Sequence, residues 1–468
     1  MKKYAFIVLC FVGINSIFSQ DISGKWVGLL KVQGIQLRLV LNISKSDSIY
    51  TATMDSPDQG ANGLPVSKVN LVDSTFIFEL ANAKIKYIGI LQADSISGTF
   101  MQGPLEVPLA FKKTTEEIKG QIRPQEPKPP FPYRTEDVKF LNRKENFYLS
   151  GTLTTPDSVG KYPAVILISG SGPQNRDEEL MGHKPFLVIS DFLTRNGFVV
   201  LRFDDRGIAK SEGDFSKATS ADFANDVESA FNYLCSRKEI DFKHIGLMGH
   251  SEGGIIAPMV AAKNKNIAFI VLLAGTGVPG DQIMLEQQKL IGRATGMNEK
   301  DIEKTWEINE NIFSIIKKYK DQNELNTKLK LYLSQAIKDF PKENNPESMS
   351  DEEIIDKTIE QMANPWMLHF IRFDPKTALK KVKCPVLAVN GEKDLQVSPE
   401  QNLGTIKQIL NRAGNKKVTI REFEGLNHLF QHCTTGSPFE YSNIEETFSE
   451  EVLKYIDNWI KTEILNLY

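Results

Sequence analysis

The stretch Gly249-His250-Ser251-Glu252-Gly253 decides how this sequence is interpreted. It follows an apolar run, Ile245 to Met248, and precedes a run with helical character, Gly254 to Lys263. Between a strand and a helix, G-x-S-x-G is typical of a nucleophile elbow, a tight turn that exposes a serine in a strained conformation. The glycines are needed because side chains at their positions would block the turn. The motif predicts Ser251 as a nucleophile; a glycine-rich turn with an incidental serine is the alternative for the motif by itself.

A serine hydroxyl becomes a good nucleophile only when a base takes its proton and a carboxylate orients that base. The apolar run Pro385 to Val389 ends in Asn390-Gly391-Glu392-Lys393-Asp394, which places a carboxylate just past a buried strand. Asp394 is therefore the predicted acid. Glu392, two positions earlier, is the alternative.

The candidate base lies in the loop after a later strand. The run Lys417 to Phe423 gives way to Glu424-Gly425-Leu426-Asn427-His428, so His428 is the predicted general base. His432 lies in the same loop and is the alternative, whereas His250 is expected to pack or form hydrogen bonds beneath the nucleophile. The chain order serine, aspartate, histidine is the order used by α/β-hydrolases.

Acyl transfer also needs backbone donors that stabilise the oxyanion of the tetrahedral intermediate. One donor normally follows the nucleophile, and here that residue is Glu252. The second is expected after an earlier strand, where the run Pro163 to Ile168 opens into Ser169-Gly170-Ser171-Gly172-Pro173-Gln174. Ser171 is the predicted second donor. A phosphate-binding loop is disfavoured, because a third glycine and a following lysine are missing.

The remaining reactive residue types do not suggest another chemistry. No H-E-x-x-H or paired C-x-x-C motif is present, so a catalytic metal is not indicated, and the predicted acyl-enzyme chemistry requires no cofactor. Cys235 and Cys384 are expected to be small core residues. A catalytic role for Cys433 in the histidine loop is conceivable, but Ser251 already fills the place of the nucleophile.

From Phe147 to the C-terminus the chain resembles the serine α/β-hydrolases grouped with EstD-type carboxylesterases and serine aminopeptidase-like hydrolases. Besides the elbow, acid and base segments, the matching stretches are Gly170-Ser171-Gly172-Pro173-Gln174-Asn175-Arg176-Asp177-Glu178, Gly182-His183-Lys184-Pro185-Phe186 and Leu201-Arg202-Phe203-Asp204-Asp205-Arg206-Gly207. One departure is Ile208-Ala209-Lys210-Ser211, where such proteins often have Gly-x-Gly-x-Ser. The resemblance implies an α/β-hydrolase fold and acyl-transfer chemistry.

The same fold class follows from hydrophobic periodicity, because apolar runs alternate with amphipathic segments. Strands are predicted at 163–169, 198–203, 244–249, 268–273, 385–390 and 417–423. Helices are predicted near 183–196, 219–237, 252–264, 399–412 and 443–463. We therefore expect a mostly parallel sheet with helices on both faces, and with the candidate residues where strands end.

Residues 281–380 interrupt this alternation with helical spacing of Ile and Leu, and they predict a helical lid. Its apolar positions are interpreted chiefly as helix core; they include Trp306, Ile312, Phe313, Ile316, Leu329 and Leu333. At the end of the insert, Trp366 and Phe370 are candidates for lining the pocket. A lid above the sheet is expected to restrict substrate size.

The N-terminal part of the chain has a different character. Residues 1–19 carry two lysines and an apolar stretch, and they predict a secretory signal peptide, followed by a periplasmic or extracellular protein. Residues 21–115 show period-two alternation, which predicts a small all-β barrel or sandwich as an accessory domain. Residues 116–135 are proline-rich and predict an extended linker. The catalytic domain is expected at 136–468.

These features together favour a serine hydrolase that cleaves carboxylic esters through an acyl-enzyme. Peptide, amide or thioester hydrolysis is the alternative, and a noncatalytic binding protein on the same scaffold is a further one. The formal charge is −3, and loss of the two signal-peptide lysines makes it −5, so no basic surface for nucleic acid is expected. The expected partner is a small ester; no membrane span is expected, and a dimer is conceivable.

Overall fold

The computed structural model describes residues 21–32, 35–47, 49–59, 61–103, 105–116, 118, 122–157, 159–339 and 350–467. The predicted signal peptide, residues 1–19, lies outside the described residues. The chain folds into two compact units. One comprises residues up to Pro57 together with Ala61–Ile118, and the other consists chiefly of the chain from residue 122 onward.

The N-terminal unit is a single antiparallel sheet of nine strands. The strands are β1 Gly24–Val32, β2 Ile35–Ser46, β3 Ile49–Ser56, β4 Ala61–Pro65, β5 Lys68–Val72, β6 Thr75–Leu80, β7 Ile85–Gln92, β8 Ser95–Gln102 and β9 Leu105–Thr114. Their order is β4-β3-β2-β1-β9-β8-β7-β6-β5. Strand β7 alternates buried and exposed residues along its whole length, so one face carries the core. The predicted all-β unit is confirmed, as one curved half-barrel sheet.

The second unit is built on an eight-stranded mixed sheet. Its strands are β10 Tyr133–Asn142, β11 Phe147–Pro156, β12 Tyr162–Ile168, β13 Val199–Phe203, β14 Ile240–His250, β15 Phe269–Leu273, β16 Val386–Gly391 and β17 Val418–Phe423. The order is β10-β11-β13-β12-β14-β15-β16-β17, and β12 to β17 run parallel. The six predicted strands are all present. The antiparallel edge pair, β10 and β11, was not predicted.

Helices cover both faces of this sheet and confirm the predicted fold class. They are α1 Pro185–Arg195, α2 Ser220–Cys235, α3 Gly253–Lys263, α10 Pro399–Arg412 and α11 Glu450–Glu463. Residues of α1 and α11 pack with Val165 and Leu167 of β12, whereas residues of α2, α3 and α10 pack with Ile166 and its neighbours two positions away. Successive side chains of β12 thus enter two different cores, which explains why its sequence is apolar without interruption.

Between β15 and β16 the chain forms a helical insert. It consists of α4 Gly280–Ala294, α5 Glu299–Lys318, α6 Gln322–Ala336, α7 Asp351–Met362, α8 Pro365–Arg372 and α9 Lys376–Leu379. Five of the apolar positions named above are buried in a core of the insert; they are Ile312, Phe313, Ile316, Leu329 and Leu333. Trp306 is only half-buried. The apolar pattern of the insert therefore serves mainly its own packing.

The proline-rich segment differs from a free spacer in its described part, from residue 122 onward. The Arg123 guanidinium donates hydrogen bonds to the carbonyls of Met181 and Ser442. The Gln125 side chain donates to the Phe448 carbonyl at 2.7 Å and accepts from the Phe448 N–H at 3.0 Å. These contacts tie the segment to the second unit.

Backbone atoms at the elbow leave no room for a side chain in place of Gly249. A Cβ atom on Gly249 would lie 2.0 Å from the Gly253 carbonyl oxygen, a separation that backbone atoms cannot accept. We expect Gly249→Ala to lower the free energy of unfolding by about 3 kcal/mol. The control is Gly404→Ala in α10, where a Cβ meets nothing within 4 Å, and where we expect a gain of up to about 1 kcal/mol. Thermal unfolding of both variants checks this; equal midpoints would contradict it.

Candidate active site

Ser251 occupies the turn between strand β14 and helix α3. Its φ angle is +52°, the left-handed region that a serine adopts only under constraint. The Ser251 N–H donates to the Leu273 carbonyl of the neighbouring strand, and its carbonyl accepts from the Gly254 N–H, both at 2.9 Å. Ser251 is thus fixed at the carboxyl end of a central parallel strand, where such sheets bind ligands.

His428 and Asp394 are hydrogen-bonded to each other. His428 Nδ1 lies 2.8 Å from Asp394 Oδ2, and both residues are buried. The other Asp394 oxygen accepts the backbone N–H groups of Gln396 and Val397, each at 2.8 Å. Because Nδ1 is engaged by the carboxylate, Nε2 is the ring atom left to accept a proton. This is the arrangement of a base oriented by an acid.

The alternative acid and base lie elsewhere. Glu392 is exposed, and its Oε2 accepts the Gly425 N–H at 2.8 Å. His432 has 64% of its side chain exposed, and its Nδ1 contacts Glu446 Oε2 at 2.8 Å. Asp394 and His428 are therefore the pair that the fold brings together.

His250 joins the base to a buried carboxylate that the sequence reasoning missed. His250 Nδ1 lies 3.0 Å from Glu178 Oε1, its Nε2 lies 3.0 Å from the His428 carbonyl oxygen, and the two imidazole rings are 4.8 Å apart. Burial lowers the pKa of His250, but the Glu178 carboxylate, the His428 carbonyl and the Asp394 charge together raise it above its ordinary value. Glu178 ends one of the segments that carry the family resemblance, which was the only signal for it.

The loop that follows β12 is held by the side chains of Glu178 and Asp205. The Gly170 N–H donates to Glu178 Oε1 at 2.6 Å, so this donor is already used. Ser171, the next residue, is exposed. Glu252 stands at the start of α3, and the first N–H groups of a helix have no acceptor within the helix. The expected oxyanion donors at Ser171 and Glu252 thus remain predictions.

Asp205 holds the two ends of the same loop. Its Oδ1 accepts the Ser169 hydroxyl at 2.7 Å, and its Oδ2 accepts the Gln174 N–H at 2.9 Å. Burial raises the pKa of Asp205 to about 8. The folded protein therefore keeps a proton on Asp205 that the unfolded chain releases near pH 4.

A pH dependence of stability follows from this shift. Because the folded pKa is the higher one, the contribution of Asp205 is complete below about pH 4 and is lost as the pH rises towards 8. Asp205→Asn should remove this pH-dependent loss of stability. Between pH 5 and 8, the free energy of unfolding of the parent should therefore fall relative to that of the variant, by up to about 1.4 kcal/mol per pH unit. Unfolding curves at several pH values measure it. Exposed Asp214→Asn is the control, and parallel curves for parent and Asp205→Asn would contradict the shift.

Trp366 and Phe370 lie one helical turn apart on α8. Their rings stack with centroids 5.1 Å apart, and the Trp366 indole N–H lies 2.9 Å from each carboxylate oxygen of Glu252. This face of α8 therefore contacts the residue next to the nucleophile. The side chain of Glu252 had no assigned role in the sequence reasoning.

The described residues contain three free cysteines, Cys235, Cys384 and Cys433. Cys235 is exposed, so its predicted place in the core is wrong; Cys384 and Cys433 are half-buried. Burial raises the pKa of the Cys433 thiol, which disfavours the reactive thiolate. Within the described ranges no group of three His, Cys, Asp or Glu side chains could hold a metal ion. None of the described helices is both long and apolar enough to cross a membrane.

Several solved structures are similar to this protein. The α/β hydrolase GrgF from Penicillium sp. sh18 has 14% sequence identity and a TM-score of 0.45, and the match covers 71% of this chain and 99% of that one. The Pyrococcus furiosus esterase Pf2001 has 17% identity and a TM-score of 0.40, covering 70% and 93%. Est1E from Butyrivibrio proteoclasticus, solved with ferulic acid bound, has 16% identity and a TM-score of 0.40, covering 70% and 98%.

Among curated proteins, the esterase EstD from Thermotoga maritima is 25% identical over 312 residues, which is 66% of this chain. The match spans 65% of the length of EstD. An uncharacterized 31.7 kDa protein from Escherichia coli is 24% identical over 268 residues, covering 56% of this chain and 84% of that protein. The family model described as serine aminopeptidase, S33, matches residues 186–432, more than half of the 468 residues. The chain therefore belongs to the S33 serine aminopeptidase family of α/β-hydrolases.

Proposed function

We propose that this protein hydrolyses carboxylic esters through an acyl-enzyme formed on Ser251. The Ser251 oxygen attacks the ester carbonyl while His428 Nε2 takes the hydroxyl proton, and Asp394 stabilises the resulting imidazolium. The tetrahedral intermediate collapses when His428 returns the proton to the departing alcohol. Water then adds to the acyl-enzyme with His428 as base, and it releases the acid and Ser251.

The observation that carries this proposal is the buried hydrogen bond between His428 and Asp394. An aspartate held by two backbone N–H groups cannot turn away from its histidine, so the orientation of the base is fixed before substrate binds. The His428 carbonyl is also held, by His250, the residue that precedes Ser251. The base loop and the elbow are thus joined through one side chain.

We assign the oxyanion donors to the backbone N–H groups of Glu252 and Ser171. Support comes from their positions: one heads α3 directly after the nucleophile, and the other follows β12, the strand beside β14. The Gly170 N–H is occupied by Glu178, which leaves the next residue of the loop for this role. Donors at these two places match the arrangement found after nucleophile elbows.

Aminopeptidase or thioesterase activity is the alternative on the same triad. An aminopeptidase needs a carboxylate that meets the substrate's ammonium group. Among the described residues, the acidic side chains hydrogen-bonded to the elbow or the 169–174 loop, or belonging to the elbow, are Glu178, Glu252 and Asp205. All three are buried and already accept hydrogen bonds within the protein. This favours a neutral ester. The esterase activity in the name of EstD agrees with it.

The helical insert is proposed to limit the acyl chain, with Phe370 at the pocket wall. Phe370→Ala should raise the rate for long acyl chains relative to acetate by about tenfold, because the stacked ring no longer fills the space. Rates across a series of p-nitrophenyl esters measure this. An unchanged ranking of chain lengths would exclude Phe370 from the pocket.

Export to the periplasm or the extracellular space is proposed from the lysine-flanked apolar stretch at the N-terminus. Expression of the full chain in a bacterial host, followed by N-terminal sequencing of the exported protein, tests this. Cleavage near residue 19 is expected; intact protein that stays in the cytoplasm would contradict it.

The substrate class is tested with p-nitrophenyl esters from acetate to long acyl chains, beside aminoacyl anilides and an acyl thioester. We expect ester turnover to exceed anilide turnover by at least about a hundredfold in kcat/KM. Hydrolysis of anilides without hydrolysis of esters would contradict the esterase activity and support a peptidase. No turnover of any substrate would support the noncatalytic binding protein.

A further inference from the structure

The side chain of Glu252 forms a junction between three helices. Its Oε1 accepts the Ser220 hydroxyl at 2.5 Å, and the Trp366 indole N–H lies 2.9 Å from both carboxylate oxygens. Ser220 is the first residue of α2, Glu252 precedes α3, and Trp366 is in the first turn of α8 in the insert. One carboxylate therefore connects the nucleophile elbow to the helical insert.

This junction is energetically demanding. Only 3% of Glu252 is exposed, and a buried carboxylate is costly unless its oxygens are hydrogen-bonded. Burial raises the pKa of Glu252, and the hydrogen bonds from Ser220 and Trp366 offset that rise only in part. Within the part of the chain that the structure describes, the hydrogen-bond donors to the Glu252 carboxylate are two neutral groups, the Ser220 hydroxyl and the Trp366 indole. If Glu252 served packing alone, an apolar side chain of similar volume would stabilise the fold at least as well.

Helix α8 is also packed tightly against the start of the insert. A Cβ atom on Gly280, the first residue of α4, would lie 2.4 Å from the Phe370 carbonyl oxygen. The stacked Phe370 ring in turn restrains Trp366. Movement of α8 would therefore displace the indole N–H that holds the Glu252 carboxylate.

We infer that Glu252 is a positioning residue through which Trp366 on helix α8 sets the place of the Glu252 backbone N–H beside Ser251. This rests on the proposed function, in which that N–H binds the oxyanion. Because an oxyanion donor acts on the transition state and not on the bound ester, loss of the link should lower kcat and leave KM nearly unchanged. A residue that only lined the pocket would instead change KM and the preference for chain length.

The test uses Trp366→Phe, which keeps an aromatic ring and removes the N–H, and Glu252→Gln, which keeps the shape and removes the carboxylate. We expect Trp366→Phe to lower kcat about 10- to 100-fold for both short and long esters, with KM within about twofold; complete loss of one oxyanion donor costs about 10²- to 10³-fold. If Trp366 acts through Glu252, the variant that combines Trp366→Phe with Glu252→Gln should have a kcat no lower than that of the slower single variant. Trp306→Phe, also in the insert, is the matched control and should keep the kcat of the parent.

A second measurement does not need activity. The chain has four tryptophans, so ¹⁵N-tryptophan labelling gives a small set of indole signals, and the signal missing from Trp366→Phe identifies Trp366. Glu252→Gln should shift that signal and leave those of Trp26, Trp306 and Trp459 in place, which also shows that the variant is folded.

The outcomes separate this inference from the proposed function. An active parent whose Trp366→Phe variant keeps its kcat, or a Trp366 signal that Glu252→Gln does not move, overturns the positioning role alone. A parent that hydrolyses no acyl substrate overturns the proposed function and this role with it. A rise in KM without a change in kcat would make Trp366 a pocket residue only.

Discussion

Replacing Ser251 with alanine is expected to lower kcat for ester hydrolysis by a factor on the order of 10⁴ to 10⁶. The reason is that the proposed acyl-enzyme forms on the Ser251 hydroxyl, and loss of a triad serine in a well-studied hydrolase has an effect of this size. The substitution removes one oxygen and no packing, so the fold should be preserved. Steady-state kinetics with the best ester of the chain-length series, on freshly purified variant and parent, measures the effect.

The control for this prediction is the structural integrity of the variant. Thermal unfolding should differ little from that of the parent, because only the Ser251 backbone is hydrogen-bonded to the sheet. A folded variant with the activity of the parent would show that Ser251 is not the nucleophile. A residual kcat of about a millionth of the parent value is compatible with transition-state stabilisation by the oxyanion donors and by substrate binding.

Asp394→Asn is expected to lower kcat by about 10³- to 10⁴-fold while the site stays in place. The asparagine can still accept the N–H groups of Gln396 and Val397, but it no longer stabilises the imidazolium and it favours the wrong tautomer of His428. The effect should be in kcat, because the proposed role of Asp394 is to orient His428 and to stabilise its imidazolium. Kinetics at a pH well above and well below neutrality measure it.

The matched control is Glu392→Gln, two residues earlier in the same loop. Glu392 is exposed and its carboxylate accepts the Gly425 backbone N–H, away from His428, so we expect a change of less than about threefold. The opposite ranking, with Glu392→Gln slow and Asp394→Asn active, would mean that the acid has been assigned to the wrong carboxylate. Equal and large losses in both variants would indicate a damaged loop.

The positions of Ser251, Asp394 and His428 could be predicted because each depends on local sequence. An apolar run marks a parallel strand, and a polar residue directly after it must lie at the carboxyl edge of the sheet. Strands β10 and β11 could not be predicted in this way, because their sequences lack the continuous apolar character of the central strands. Strand β10 lies at the edge of the sheet and half of its residues are exposed, whereas β11 is mostly buried but contains glycine, serine and threonine.

The roles of Glu178 and of the Glu252 side chain could not be predicted, because they depend on contacts between distant segments. Glu178 meets His250 across 72 positions of sequence, and Trp366 meets Glu252 across 114. Neither contact leaves a periodic pattern. A buried carboxylate in sequence looks like any surface carboxylate, and only its neighbours in the fold show that it is paired.

The most direct test of the proposed mechanism is the identification of the residue that becomes acylated. The protein is treated with a fluorophosphonate, which reacts as an ester analogue with an activated serine, and the adduct is located by peptide mass spectrometry. We expect one adduct, on Ser251, that forms at least about a thousandfold more slowly in Asp394→Asn and His428→Ala variants. An adduct on another residue such as Cys433, or labelling of Ser251 that does not depend on His428, would contradict it.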